Sequence, residues 1–244
     1  MAREFNLIAC FMTKPFMGVS ASGCHHNLSL WRGGEDKVNP LGNDPLPGMK
    51  ENFTYRRGGE NTFMPLDGEK KPGPMGLHCI GGVIEHVAAL TAIGSPTVNS
   101  YRRLWDTGFW APVFADWGFQ NRTTALRISS PDRFEYRSVD ASVNPYLALA
   151  GLIKVMDDGI QRKLDPGPPE ESNIYEAIAA GKQVQRVPMT LGEALQALEE
   201  DDVVKSALPG EMYRVFMHYK RDEWERYCAT VSDWDMAEYL DVLP

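Results

Sequence analysis

Four groups of residues in this chain have types and spacings that could do chemistry. The first runs Gly18-Val-Ser-Ala-Ser-Gly-Cys-His-His-Asn-Leu-Ser-Leu30, small residues leading into two histidines and an extended stretch. Small residues let backbone amides come close to a ligand. Alternate residues of a strand share a face, so His25, Asn27 and Ser29 should point together. An imidazole, an amide and a hydroxyl on one face suit a metal and phosphate groups, although a single histidine on a strand is also a common structural residue. The second and third groups are Asn121-Arg-Thr-Thr-Ala-Leu-Arg127 and Arg133-Phe-Glu-Tyr-Arg137. In extended chain Arg133, Glu135 and Arg137 share a face, with Arg127 on the neighbouring strand. Two cations flanking a carboxylate suit oxyanion or phosphate binding, and they equally suit a solvated, salt-bridged sheet face. The fourth group is Asn99-Ser-Tyr-Arg-Arg103, basic and placed just after a helix.

These groups need elements to position them. Residues 5–12 (FNLIACFM) read as a buried strand, and His25 to Trp31 as a second. Residues 32–76, rich in Gly, Pro and charge, read as a long surface excursion of the kind that is functional or irregular. IGGVIEHVAALTAI predicts a buried helix over 77–93 with a stop at Gly94-Ser95-Pro96. Strands are predicted at 111–117, 123–129 and 133–138. Asn144-Pro145 opens a helix to about Ile160, closed by Pro166-Gly-Pro-Pro169. Thr190-x-x-Glu193 is a capping box ahead of an Ala/Leu-rich run, and 211–230 carries apolar groups at helical spacing. No internal repeat is evident. The class is α+β, with strands in the middle and helices flanking and following.

Composition narrows the classes of function. At 244 residues, 43% hydrophobic and 24% charged, the chain can bury a sizeable core. No apolar run reaches the ~20 residues needed to span a bilayer, so no membrane partner is expected. Met1-Ala-Arg-Glu-Phe5 lacks the pattern of a signal peptide, and a cytoplasmic location is the expectation. A formal net charge of −8 argues against a nucleic-acid surface. Cys10, Cys24, Cys79 and Cys228 match no zinc or disulfide framework and read as buried reduced thiols.

Four stretches then resemble, in order, segments of the glutamine synthetase catalytic domain: FMTKPFMGVSASGCHHNLSLW, GGVIEHVAALTAIGSPTVNSYRRL, APVFADWGFQNRTTALRI and FEYRSVDASVNPYLALAGLIKVMDDGI. The tail from KRDEWERY to VSDWDMAEYL is similar to the amine-ligating branches. The resemblance implies an ATP-dependent ligase that activates the γ-carboxylate of glutamate as an acyl phosphate and transfers it to an amine. It implies that His25 and Glu135 bind a Mg²⁺ or Mn²⁺ ion carried with ATP. Asn27 and Ser29 fall at the nucleotide. Arg122 and Arg127 fall at the transferring phosphates, and Arg133 beside them. Ser20, Ala21, Arg137 and Arg103 (less well Arg102) fall at the amino-acid substrate. It implies that 1–244 is the carboxy-terminal part of one such catalytic domain, an antiparallel sheet with flanking helices and a helical carboxy-terminal part. It also implies a homo-oligomer, a dodecamer of two hexameric rings, and a preceding β-grasp domain with glutamate-rich metal strands, so that the chain alone is expected to be incomplete.

Three positions depart from the family pattern. Ser20-Ala21 stands where Asn-Gly is usual, and Asn27 where a histidine is. The flap carboxylate, to which deprotonation of the incoming ammonium is ascribed, falls on Trp110 of Gly108-Phe-Trp-Ala-Pro112. A tryptophan cannot act as a base, but it can lie against a cationic or alkylated amine; it could also merely pack in a realigned flap. Three functions follow: a glutamate–amine ligase using an alkylamine such as methylamine, an ordinary glutamine synthetase using ammonia, or a non-catalytic relative.

Overall fold

The computed structural model describes residues 1–33, 35–38, 54–57, 59–65, 71–105 and 111–242, with backbone alone at 35–38 and 54–57. Four of the candidate residues, Asn27, Arg127, Arg133 and Glu135, lie on one four-stranded sheet, built from β1 (His26–Leu28), β6 (Trp117–Phe119), β7 (Leu126–Ser130) and β8 (Arg133–Tyr136) in the order β1-β8-β7-β6. The expected sheet is antiparallel; the observed one is mixed. β1 and β7 run antiparallel to β8, while β6 runs parallel to β7. The six residues between β6 and β7 include the tight Asn121 turn, which returns the chain alongside β6 in the same direction. Asn121 holds that turn by accepting from Thr123 N (2.9 Å) and Thr123 Oγ1 (2.6 Å) while donating to Glu170 O (3.1 Å) and Ser172 O (2.8 Å).

Phe134 and Tyr136 of β8, with Leu126 and Ile128 of β7, point into the core. Strand alternation therefore turns Arg133, Glu135 and Arg127 to the opposite face. Beneath the core face lie α1 (Pro74–Glu85), α2 (Val87–Gly94), α4 (Pro145–Arg162) and α6 (Leu191–Glu200), with α1 packed on α4 and α2 on α6. α1 and α4 cross glycine on glycine: a Cβ on Gly82 would meet Val155 O at 2.0 Å, and one on Gly159 would meet His78 O at 2.2 Å. α3 (Val98–Trp105) follows the second helix, and α5 (Ile174–Ala179), α7 (Asp202–Lys205), α8 (Glu211–Cys228) and α9 (Asp233–Tyr239) complete the helical part.

Local signals set several boundaries. Asn144 caps α4, its side chain accepting from Tyr146 N (3.0 Å) and Leu147 N (3.4 Å), with Pro145 at the first helical position. Thr190 Oγ1 accepts from Glu193 N at 3.1 Å, but Glu193 reaches back to Met189 N (2.7 Å), one residue beyond a standard capping box.

Other expectations are corrected. The helix over 77–93 is two helices, α1 and α2, meeting at 75° around His86. The run 5–12 is not a buried strand: a 3₁₀ turn covers Ala2–Phe5, and Leu7, Ile8, Phe11 and Met12 are exposed. Among the described residues no strand pairs with that run, and an extended segment without a partner gains no ladder. The predicted strand at 111–117 contributes one isolated bridge, Phe114 with Arg186, and β6 begins only at Trp117. The strand from His25 divides after Leu28, and Trp31–Arg32 (β2) pairs instead with Glu60–Asn61 (β5). The excursion is partly regular, since β3 (Glu35–Val38) pairs with β4 (Thr54–Arg57). It also rejoins the core early: Phe63 is fully buried and stacks on Phe134 with centroids 5.7 Å apart. Residues 39–53 and 66–70 of the excursion lie outside the described residues. Of the four cysteines only Cys79 is buried; Cys24 is half-buried, and Cys10 and Cys228 are exposed. No single described helix is long and apolar enough to cross a membrane.

The break at His86 has a specific cause. The buried imidazole sits between Asp201 Oδ2 (Nδ1, 2.7 Å) and Asp158 Oδ2 (Nε2, 3.0 Å), tying the α1–α2 junction to α4 and to the α6–α7 junction. Burial pulls its pKa down, but the two carboxylate hydrogen bonds outweigh this and hold it above its ordinary value of 6.5. Asp158 and Asp201 are held below the usual 3.8: burial raises each, and the His86 hydrogen bond outweighs it only together with Arg162 at Asp158 and with the Val204 N–H and the His86 charge at Asp201. A raised imidazole stabilises fully below about pH 6.5 and loses that contribution as pH rises through its folded pKa; depressed carboxylates lose theirs as pH falls below about 4. The stability difference between wild type and His86→Gln, measured by urea unfolding, is therefore expected to be largest between about pH 4 and 6.5 and to shrink above that range. A difference that stays flat from pH 5 to 9 would mean that His86 is neutral in the fold.

Candidate functional site

The register places the candidate residues in a row. Asn27 of β1 lies opposite Glu135 of β8, and Glu135 opposite Arg127 of β7. Directly opposed residues of an antiparallel pair share a face, so an amide, a carboxylate and a guanidinium line up across three strands. His25, one position before β1, joins this face, and exposure along 25–29 alternates as expected, with His25, Asn27 and Ser29 exposed and His26 and Leu28 half-buried.

Glu135 is the hub. Its Oε1 lies 2.9 Å from His25 Nδ1, and its Oε2 accepts from Arg127 Nη1 (3.1 Å) and Arg137 Nη1 (3.4 Å). Burial alone would raise this carboxyl. The Arg127 hydrogen bond and the charges of Arg137 and His25 outweigh that and keep it below the ordinary carboxylate range. His25 moves the other way for an imidazole: burial first, then the charge of Arg137 and, more weakly, Arg103, pull it below 6.5 against Glu135. A neutral imidazole has a lone pair free to bind a metal ion. Among the described residues no group of three or more His, Cys, Asp or Glu converges, so His25 and Glu135 offer two donors here.

The arginines divide by setting. Arg137, buried, also donates to Arg122 O (3.1 Å), fixing the turn that carries the exposed Arg122 side chain. Arg133 is exposed at the far end of β8 and pairs with its neighbour Asp132 (3.3 Å). Arg103 is buried and donates to the carbonyls of Arg137 (3.0 Å) and Val139 (3.4 Å), which braces the end of β8. Arg102 is exposed, over the Tyr227 ring at 6.0 Å. Ser29 accepts from Trp31 Nε1 (2.9 Å), an exposed indole on the same side of the chain. Trp110 lies outside the described residues; the adjoining Ala111 is anchored by Tyr175, whose hydroxyl donates to its carbonyl at 2.6 Å.

Several positioning groups carry no distinctive sequence signal. Ser20 and Ala21 sit in a loop closed by Lys14, whose ammonium donates to Val19 O, and by Ser22 N donating to Thr13 O (2.8 Å). Asn99 clamps Lys14 from α3, accepting from its N (2.8 Å) and donating to its O (3.0 Å). Gly23 leaves room for the site: a Cβ there would meet His25 Nε2 at 2.9 Å and Arg103 Nη2 at 3.4 Å. Gln120 holds Arg127, its Oε1 accepting from Nη2 at 2.7 Å.

An imidazole–carboxylate pair ringed by guanidinium groups on one open sheet face is suited to a divalent cation together with a polyanion. The chain belongs to the family whose catalytic domain defines glutamine synthetases: the family model described as "Glutamine synthetase, catalytic domain" matches residues 1–239. A glutamine synthetase of Thermococcus kodakarensis is 39% identical over 235 residues, covering 93% of this chain and 46% of that protein. Two solved structures of GmaS, one without ligand and one in complex with ADP, are each 32% identical, with TM-scores of 0.79 and 0.81, covering 98% of this chain and 50% of theirs. The chain thus spans about half the length of the curated relatives it matches.

Proposed function

We propose that the protein carrying this chain is an ATP-dependent ligase that joins the γ-carboxylate of glutamate to a small amine, methylamine or a similar alkylamine, through γ-glutamyl phosphate. The observation that carries the reading is the single carboxylate, Glu135, shared by His25, Arg127 and Arg137 on the face that belongs to this family's catalytic domain. A γ-carboxylate oxygen attacks the terminal phosphorus of ATP, the bond to ADP breaks, and the amine nitrogen then attacks the acyl carbon, releasing phosphate and losing a proton. Most of the work is positioning and charge neutralisation.

The chain's own residues have these parts. His25 and Glu135 fit a Mg²⁺ or Mn²⁺ ion, being a neutral imidazole and an ionised carboxylate in contact, with remaining ligands from phosphate oxygens, water or residues elsewhere. Bound there, the ion supplies charge neutralisation at the phosphates. Arg122, Arg127 and Arg133 face the nucleotide phosphates, and Asn27 and Ser29 the rest of the nucleotide. Arg137 and Arg103, with the Ser20–Ala21 loop, hold the carboxylate of glutamate. The protein acts as a homo-oligomer of two stacked hexameric rings in the cytoplasm.

Trp110 in place of a flap carboxylate favours an alkylamine over ammonia. Ordinary glutamine synthesis is the second reading, supported by the names of the sequence relatives. Phosphate release by the full-length protein with ATP and glutamate should show a higher kcat/KM for methylamine than for ammonium, compared per unprotonated amine. A preference for ammonium would return the protein to glutamine synthesis, and no release with either amine would leave a non-catalytic relative.

A further inference from the structure

Gln120 has a backbone conformation that its residue type does not favour. Its φ is 49°, in the left-handed region, and only Asn6 and Lys163 share this among described non-glycine residues. Such a conformation persists where surrounding contacts over-determine it. At Gln120 those contacts take up three successive residues of β7. Its N–H donates to Ile128 O (3.0 Å), its Nε2 donates to Ser129 O (2.7 Å), and its Oε1 accepts from Arg127 Nη2 (2.7 Å). The Arg127 guanidinium is therefore held at both ends of its fork, by Glu135 at Nη1 (3.1 Å) and by Gln120 at Nη2.

The two holders differ in kind. Glu135 is a carboxylate already shared with Arg137 and His25. A cation bound by Glu135 would draw on the same carboxylate oxygens and weaken its grip on Arg127. Among the described residues no second group shares the Gln120 amide oxygen. Being neutral, it fixes the guanidinium without cancelling its charge, which a carboxylate at this position would do. We propose that Gln120 is a positioning residue that keeps Arg127 aimed at an anionic ligand, the phosphates of a nucleotide. This rests on the ligase reading above.

The test uses the full-length protein with Gln120→Met, which keeps the length but makes neither side-chain bond, and Gln120→Asn, which tolerates the left-handed backbone but falls one carbon short. Should the methionine variant fail to fold, the asparagine variant carries the comparison. Both should raise the Kd for Mg-ADP and the KM for ATP about tenfold, the effect of losing one charge-assisted hydrogen bond, with KM for glutamate within about twofold and a melting temperature lowered by only a few degrees. In an Arg127→Ala background neither should have a further effect, because the group they position is gone. An unchanged ATP KM, or the same loss with and without Arg127, would overturn the inference while leaving the ligase reading intact. A wild-type protein that binds no Mg-ADP would overturn both.

Discussion

Replacing either His25 or Glu135 with alanine in the full-length protein is expected to abolish ATP-dependent amide formation. The two side chains touch at 2.9 Å and form the only imidazole–carboxylate contact on the site face among the described residues. Removing one donor misplaces the charge-neutralising centre at the phosphates, and the loss of one preorganised electrostatic partner costs about 10²–10³-fold in turnover. The two variants should differ in stability. His25 is partly exposed, and its removal leaves Glu135 still paired with two arginines. Removing Glu135 leaves Arg127 and Arg137 facing each other without their shared carboxylate, a loss of the kind that costs ~3–5 kcal/mol when a buried charge is stranded. Glu135→Gln, which keeps the shape and one acceptor oxygen but not the charge, should recover part of that stability while still losing turnover. Phosphate release and thermal unfolding measured side by side decide the matter, and near-wild-type turnover in His25→Ala or Glu135→Gln would remove the metal assignment.

Much of this site could be read before the fold was seen because it is written in strand alternation. His25, Asn27 and Ser29, like Arg133, Glu135 and Arg137, repeat every second residue, and a period of two fixes a shared face whatever the surroundings. The helix ends at Gly94 and Asn144 were legible for a similar reason, their capping chemistry lying within a few residues. What escaped detection depends on distant partners. The bend at His86 is set by Asp158 and Asp201, 72 and 115 residues away, and the local pattern across the break is continuous apolar helix. The parallel pairing of β6 with β7 depends on Asn121 bonding to the 170–172 segment. The run at 5–12 has strand composition, but composition does not supply a neighbouring edge. Gln120 was invisible because nothing about a glutamine between Phe119 and Asn121 announces a left-handed backbone or a hydrogen bond to Arg127.

Trp110→Ala is expected to lower kcat/KM for methylamine far more than for ammonium. Ammonium is small and strongly hydrated, and carboxylates hold it best. Methylammonium carries an apolar group that an indole can shelter while its cation lies against the ring face. A cation–π contact contributes ~0.5–2 kcal/mol, and burial of one methyl group ~0.8 kcal/mol. If both contacts favour methylamine alone, their sum is worth roughly 10- to 100-fold in discrimination at 1.4 kcal/mol per factor of ten. The absence of a carboxylate at position 110 does not block the second step, because the amine proton can pass to another carboxylate at the site or to water. The Tyr175 hydrogen bond to Ala111 lies beyond the substituted side chain, so the truncation need not release that anchor. Phosphate release with glutamate and each amine, in wild type and Trp110→Ala, measures the ratio directly. Equal losses for the two amines would make Trp110 a packing residue of the flap and leave amine choice to other groups. A loss confined to methylamine would assign the discrimination to the indole, since alanine removes both the ring face and the apolar wall while adding no charge.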